Sequence, residues 1–272
     1  MPGWMAALAA AGVVLFSQEA MQAASLAAKI FAKSVMPALF PMMVLGRLLP
    51  RAGGLWATAA FGFAAGSPAA AQRVNDLWRS GQTNQPEALL ALTGVMSPLF
   101  FTGSIARWTG DGRSALLLLL LHWLSAAVAA AVWKPFAKPV GAQAPSEPIQ
   151  AARLPEVMMQ SAQSLLGVCG AMMLFSVLAG VGRAILMRMF PVPQRLMDIL
   201  WALMEIGGGA SALAQGGEVP WALLGALCSF GGVSLWLQNV LFAPKCIRPA
   251  KLLWMRMLHG AVCYGLGLII FP

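Results

Sequence analysis

One acidic residue stands apart in this sequence because its neighbours are apolar. Glu205 follows the run Ile199–Met204 and precedes three glycines, Gly207–Gly209. A carboxylate at membrane depth costs about 2.5–3.5 kcal/mol on insertion scales unless it is paired or hydrated. We therefore predict that Glu205 binds a coupling ion or a solute, with a surface charge at the headgroup level as the alternative. Asp198 and Glu218 lie nearer polar flanks and are predicted to be surface residues.

Short Gly, Ser and Pro motifs interrupt apolar stretches at four places. They are Gly66-Ser67-Pro68, Ser97-Pro98, Gly207-Gly208-Gly209 and Ser229-Phe230-Gly231-Gly232. A helix break inside lipid leaves backbone N–H and C=O groups unpaired, at several kcal/mol each, unless protein, water or a ligand satisfies them. The four breaks therefore predict a cavity, whereas the simpler alternative is that Gly and Pro only allow close helix packing.

Helix starts are expected at two of these breaks. A new helix is predicted at Pro68 with Ser67 as its cap, and another at Gly209. Both positive N-termini would then face a solute near the bilayer midplane.

A polar strip follows the fourth break. Ser229, Ser234, Gln238 and Asn239 are all polar, and Ser234 and Gln238 are one helical turn apart on one face. The strip predicts either ligand contacts or hydrogen bonds between helices.

Enzyme chemistry is not indicated. His122 lies in an apolar helix, and His259 shares a helical face with Arg256; both histidines are predicted to be packing or interface residues. Ser67 with a histidine could formally serve an intramembrane protease, but no spacing supports that pairing. The four cysteines fall singly without metal-ligand spacing, so neither a metal nor a cofactor is expected.

Composition indicates a membrane protein. The 272 residues are 59% hydrophobic and only 10% charged, against about 25% charged in soluble domains. Uncharged runs at Ser114–Trp133, Val157–Gly182 and Val219–Pro244 reach the roughly 20 residues that a span needs. The net charge of +9 is scattered among loops, which suits lipid headgroups and not nucleic acid. We expect no cleaved signal peptide, a multi-pass location in a bacterial cell membrane, and a possible homo-oligomer.

The chain divides into two similar halves. A stretch with four prolines at 135–153 reads as an exposed linker between a first membrane repeat at 1–134, with its core at about 34–134, and a second at 154–272. The prediction is an all-α polytopic transmembrane protein with two structural repeats, possibly inverted, each containing re-entrant or broken helices. The expected helices are Pro2–Phe16, Glu19–Leu49, Gly54–Ala64, Pro68–Arg79, Pro86–Ile105, Gly112–Trp133, Leu154–Met189, Gln194–Glu205, Gly209–Ala214, Pro220–Phe242 and Pro249–Ile270.

Five segments resemble the sporulation integral membrane proteins built from two nucleoside-recognition (Gate) domains. The segments are Gly62–Gly81, Leu92–Ile105, Glu205–Gly209, Ser229–Gln238 and Leu252–His259. The chain departs from the family at Ser67, where Tyr is usual, at Ala69, and at Gly207, where Thr would follow Glu-Ile. The matched positions are Gly66, Pro68, Ala70, Ser97, Pro98, Leu99, Phe100, Glu205, Ile206, Ser229, Phe230, Gly231, Gly232, Ser234 and Gln238.

This resemblance implies a fold similar to the core of concentrative nucleoside transporters, with hairpin-like re-entrant segments and a role in moving dipicolinate. The expected function is a permease for a small solute, either an organic anion such as dipicolinate or a nucleoside-like molecule, working by alternating access with sodium or a proton as a possible coupling ion. The alternatives are a non-transporting assembly or sporulation partner and, less favoured, a metal-ion permease. The predicted solute-binding residues are Gly66, Ser67, Pro68, Ser97, Glu205, Gly207, Ser229, Gly231, Gly232, Ser234 and Gln238.

Overall fold

The protein is all-α, as predicted. The computed structural model describes residues 3–49, 54–141 and 153–271, and these ranges contain no strand. The α-helices are α1 Gly3–Leu15, α2 Ser17–Ile30, α3 Met36–Leu48, α4 Gly54–Ala65, α5 Ala69–Arg79, α6 Pro86–Thr93, α7 Ala106–Thr109, α8 Gly112–Trp133, α9 Leu154–Met189, α10 Gln194–Met204, α11 Ile206–Gln215, α12 Trp221–Phe230, α13 Gly232–Phe242 and α14 Pro249–Ile270.

Five helical segments of the described chain are long and apolar enough to cross a membrane. They are Ser17–Leu48, Gly112–Phe136, Leu154–Met189, Trp221–Phe242 and Pro249–Ile270. The shortest, at 22 residues, rises about 33 Å at 1.5 Å per residue, enough for a hydrocarbon core of about 30 Å. The chain is therefore a polytopic membrane protein.

The first of these segments joins two helices through a π-helical stretch. Residues Phe31–Val35 form the π turn between α2 and α3. Pro37 and Pro41 follow it within α3, and neither can donate a backbone hydrogen bond to the preceding turn. A π turn is a common way to accommodate such an irregularity without ending the helix.

Helix α8 has a sharply defined start. Gly110 adopts a left-handed conformation with φ of 71°, and the Asp111 carboxylate then accepts a hydrogen bond from the backbone N–H of Ser114 at 3.0 Å. Hydrogen bonding by the side chain of Ser114, and then by its backbone N–H, lowers the pKa of Asp111 below its usual value, because both favour the ionised carboxylate. The cap fixes where this span begins.

The hydrophobic core joins the two predicted halves. One cluster brings Phe101 and Leu118 of the first half against Ala202, Leu224 and Cys263 of the second. A second cluster packs α9 on the helices at its other side, with Leu165, Val168 and Met172 meeting Ile30 and Met43. The proposed division at the linker stays a prediction: residues 137–141 are irregular, and 142–152 lie outside the described residues.

In the first half, the breaks differ from the prediction in detail. Helix α4 ends at Ala65, Gly66 turns the chain with φ of 71°, and α5 begins at Ala69. The expected helix Pro86–Ile105 is wrong, because α6 ends at Thr93, ahead of Ser97-Pro98. Residues 94–97 leave the helix since their backbone groups have partners elsewhere: Gly94 C=O accepts from Arg256, and Met96 N–H donates to His122.

In the second half, the break lies at Glu205, between α10 and α11. The prediction that Gly207–Gly209 form the break, with a helix starting at Gly209, is wrong, because these glycines lie in the first turn of α11, which begins at Ile206. They permit close packing, since a side chain at Gly209 would overlap Ala202. The other break is confirmed: Gly231 separates α12 from α13 with φ of 79°.

Candidate functional site

A cavity of about 70 Å³ lies where broken helices from both halves of the chain meet. We call it the central cavity. The end of α4 and start of α5 contribute one wall, residues 96–100 a second, the α10–α11 break a third and α13 a fourth. Seven of the eleven predicted site residues line it, namely Ser67, Pro68, Ser97, Glu205, Gly207, Ser234 and Gln238.

Further lining residues were not predicted. Ser34, Val35, Ala38 and Leu39 come from the first long segment, at and after its π turn, and Met172 comes from α9. Ser34 gave no distinct signal in the sequence, because it lies beside Lys33 in a segment that also contains Lys29. Met172 carries no signal in the sequence, since it resembles any other apolar residue of α9.

Glu205 is the only charged side chain in the lining, and it caps α11. The residue is 1% exposed, so the alternative of a surface charge is excluded. Its Oε1 accepts from the N–H of Gly207 at 2.8 Å, and its Oε2 accepts from the N–H of Gly208 at 2.7 Å. The Ser176 hydroxyl donates to Oε2 at 3.4 Å.

This capping arrangement stabilises the acid without a cation. No Lys, Arg or His within the described chain forms an ion pair with Glu205. The N-terminus of α11 instead offers the equivalent of about half a positive charge. A carboxylate has about four acceptor positions, and three are occupied here, so one stays available to a ligand in the cavity.

Three members of the predicted polar strip, Ser234, Gln238 and Asn239, lie on α13, whereas Ser229 lies on α12, before the Gly231 break. Gln238 donates through its amide nitrogen to the Ser234 hydroxyl at 3.2 Å, and both line the central cavity. Ser67 does not cap α5 as predicted. Its side chain points instead to α13, where the hydroxyl donates to Asn239 Oδ1 at 2.9 Å. This hydrogen bond connects the two halves of the chain.

The other four predicted site residues, Gly66, Ser229, Gly231 and Gly232, lie outside the cavity lining and contact the chain breaks. A side chain at Gly66 would overlap the backbone of Ser97, so the two first-half breaks touch there. Ser229 is hydrogen-bonded to His122 Nδ1 at 2.7 Å. Gly231 lies against the Arg256 guanidinium, and Gly232 faces the carbonyl of Ala202. None of them lines the central cavity.

Arg256 is a buried cation whose role the sequence analysis missed. It is 5% exposed and lies in the apolar helix α14. Its Nε donates to the carbonyl of Phe230 at 2.8 Å, and its Nη1 donates to the carbonyl of Gly94. These carbonyls stand at the C-terminal ends of α12 and α6, where the helix dipoles are negative. The Arg256 guanidinium thus hydrogen-bonds to one chain break in the first half, at Gly94, and to one in the second half, at Phe230.

The two histidines complete a buried polar network beside Arg256. His122 Nε2 accepts from the N–H of Met96 at 2.9 Å, so the ring proton is on Nδ1 and is donated to Ser229. His259 Nε2 lies 3.0 Å from the His122 carbonyl. Neither histidine is hydrogen-bonded to Ser67.

Two further points concern charge and metals. Asp198 is not a surface residue as predicted, because it is 5% exposed and pairs with Arg183 at 3.7 Å. Glu218 is exposed, as expected.

Across the described ranges, no group of three His, Cys, Asp or Glu residues is placed to hold a metal ion.

Comparison with known proteins gives no relative. No family model matches the chain, and no curated protein or solved structure matches it. The resemblance to the Gate-domain sporulation proteins therefore stays a prediction.

Proposed function

We propose that this protein is a permease that carries a small polar solute across a bacterial membrane through the central cavity. The supporting observation is that three chain breaks, two from the first half and one from the second, meet the polar face of α13 and bring Glu205, Ser67, Ser97 and Gln238 around one cavity. Helix ends and polar side chains that meet inside a membrane protein are typical of solute sites in secondary transporters.

The small size of the cavity means that a permease with this structure must change conformation to admit its solute. Sites for small organic molecules usually measure about 300–1,000 Å³, whereas the central cavity measures about 70 Å³. This volume accommodates a few water molecules. A solute would therefore enter only after the α4–α5 and α10–α11 breaks move apart, and the present form is a closed state of the proposed cycle.

The chemistry of the lining favours a nucleoside-like solute over an organic anion. Glu205 is the only ionisable side chain that lines the cavity, and a carboxylate repels an anion such as dipicolinate. Gln238 and the serine hydroxyls can hydrogen-bond a neutral, hydroxyl-bearing molecule. Glu205 would bind sodium or a proton as the coupling ion through its remaining acceptor position.

A second candidate is a non-transporting assembly or sporulation partner in the membrane, in which the chain breaks serve only for helix packing. The small cavity volume favours it, as do the three hydrogen bonds that Glu205 already accepts from protein groups. Such a protein, alone or as a homo-oligomer, would bind no solute.

Equilibrium binding separates the two candidates. Labelled uridine and labelled dipicolinate would be added to the purified protein in detergent, with sodium or potassium as the only cation. We expect saturable binding of uridine that depends on sodium or on pH. Tighter binding of dipicolinate would contradict the solute class, and binding of neither under any condition would favour the assembly partner.

A further inference from the structure

A long groove on the described surface lies away from the central cavity. It runs between α9 and α10, reaches the α12–α13 break at Phe230 and Val233, and encloses about 520 Å³. We call it the α9–α10 groove. Its volume falls within the usual range of ligand sites, and its lining is apolar except for Arg183 and the indole of Trp201.

The groove has an outer and an inner end. Helices α9 and α10 are antiparallel neighbours: Arg183 of α9 donates to Gln194, the first residue of α10, at 2.9 Å. Farther along, Leu178 of α9 and Met204 at the end of α10 line the same groove. The chain from Leu186 to Leu178 rises about 12 Å, close to the depth of one hydrocarbon leaflet, which is about 15 Å.

The outer end of the α9–α10 groove carries a net positive charge. Residues 183–198 contain three arginines and one aspartate, so their net charge is 3 − 1 = +2. Glu19 of α2 pairs with Arg188 at 3.1 Å and reduces this excess by one. Arg183 itself is 3.7 Å from Asp198 and lies 5.6 Å above the ring of Trp201.

The Arg183 guanidinium has capacity for another acceptor. A guanidinium carries five N–H donors, and Arg183 makes one hydrogen bond within the described chain, to Gln194. Its side chain is 27% exposed. The planar donor fork matches a phosphate oxygen pair, and each basic residue near a membrane surface contributes about 1 kcal/mol to attraction of anionic lipid.

We infer that the α9–α10 groove binds one anionic phospholipid, with its phosphate at Arg183 and one acyl chain lying along α10 as far as Phe230. This lipid would contact the outer side of Met204, the residue before the Glu205 break. The inference concerns a lipid site and does not depend on solute transport.

The chain offers a matched pair of variants to test it. Gly182 lines the groove, whereas Gly170 lies on the same helix outside it, and a Cβ at either position meets no atom within 4 Å. Gly182→Leu would therefore fill the groove and Gly170→Leu would not, although both add the same side chain to the same exposed helix. Arg183→Gln removes the charge at the outer end without filling the groove, and it also removes the ion pair with Asp198.

Native mass spectrometry of delipidated protein, titrated with dioleoylphosphatidylglycerol or dioleoylphosphatidylcholine, measures the binding. We expect one tight phosphatidylglycerol, weakened about tenfold by Gly182→Leu and about fivefold by Arg183→Gln, with Gly170→Leu unchanged. Equal phosphatidylglycerol binding by Gly182→Leu and Gly170→Leu would overturn the site. Equal binding of the two lipids by the unmodified protein would overturn the headgroup assignment.

A second measurement does not depend on the Gly182→Leu variant. In detergent with less than one brominated phosphatidylglycerol per protein, bromine on the acyl chain should quench Trp201, which lines the groove. Part of the quenching should therefore disappear in Trp201→Phe. Identical quenching in both proteins would contradict the inference, even if Gly182→Leu failed to fold.

Discussion

Two buried charges organise the membrane interior, and each is stabilised by helix ends of the opposite polarity. Glu205 meets the N-terminal N–H groups of α11, and Arg256 meets the C-terminal carbonyls of α6 and α12. A charge placed in this way needs no partner side chain, because the aligned peptide dipoles supply the opposite charge. The same two residues account for why the chain can leave the helix at membrane depth.

Removing the charge of Arg256 should destabilise the fold. Hydrogen bonds to a charged group contribute about 1.5–3 kcal/mol each, and Arg256→Met loses two of them while leaving both carbonyls buried. We expect a marked fall in the melting temperature of Arg256→Met in detergent. The melting temperature of Arg256→Lys should lie between those of Arg256→Met and the unmodified protein. Arg188→Met is the control, because the exposed Arg188–Glu19 pair should contribute at most about 1 kcal/mol. Equal melting temperatures for the two Met variants would refute this role.

Gln238 should be needed for solute binding and not for stability. Its amide oxygen has no hydrogen-bond partner within the described residues and is available to a solute, so Gln238→Leu should weaken uridine binding about tenfold. Gln215 is a matched control because it also donates to a serine four residues earlier, Ser211, and lies outside the central cavity. Binding assays on Gln215→Leu should match the unmodified protein; equal loss in both variants would remove Gln238 from the site.

At the residue scale, the sequence was informative where a residue type is rare in its surroundings. Glu205 could be predicted because an acid beside an apolar run is unusual. Arg256 offered the same signal within α14, but its two carbonyl partners lie at 94 and 230 and only the folded chain brings them together. The sequence predicted the wrong partner for Ser67. A serine before a helix start can cap that helix or bond to a distant residue such as Asn239, and the local sequence does not distinguish the two.

At the element scale, the breaks follow from backbone groups that find partners outside the helix. Residues 94–97 stop being helical where Arg256 and His122 take their carbonyl and N–H. The sequence predicted most helices and the existence of breaks, but it misplaced two of them. Glycine runs were read as interruptions, whereas Gly207–Gly209 stay helical because α11 must pass close to Ala202 and Trp201.

Gly231 provides a test of one break. It has φ of 79° and lies against the Arg256 guanidinium, so Gly231→Ala should cost about 1–2 kcal/mol for the left-handed backbone and more for displacing Arg256. Gly265 is a helical glycine of α14 with open space around it. Gly265→Ala should be neutral or stabilising. The thermal unfolding midpoint should therefore fall in Gly231→Ala and stay the same or rise in Gly265→Ala. A Gly231→Ala protein with an unchanged midpoint would contradict the account.

At the scale of the whole molecule, the halves are joined by polar contacts as well as by the core. Ser67 reaches Asn239, His122 reaches Ser229, and Arg256 reaches Gly94. The low fraction of charged residues predicted a membrane protein, and the uncharged runs of 20 residues or more predicted that it is all-α. The convergence of the breaks on one cavity could be expected from a two-fold pattern, but which residues face the cavity depends on helix rotation and was visible only in the fold.

The most direct test of the proposed permease is uptake of labelled uridine into liposomes that contain the purified protein, with Glu205→Gln and Gln215→Leu in parallel. The account predicts saturable, cation-dependent uptake by the unmodified protein and by Gln215→Leu, and loss of uptake in Glu205→Gln, because an amide cannot cap α11 with two acceptors or bind the coupling ion. Undiminished uptake by Glu205→Gln, or none by the unmodified protein under any ion gradient, would contradict it.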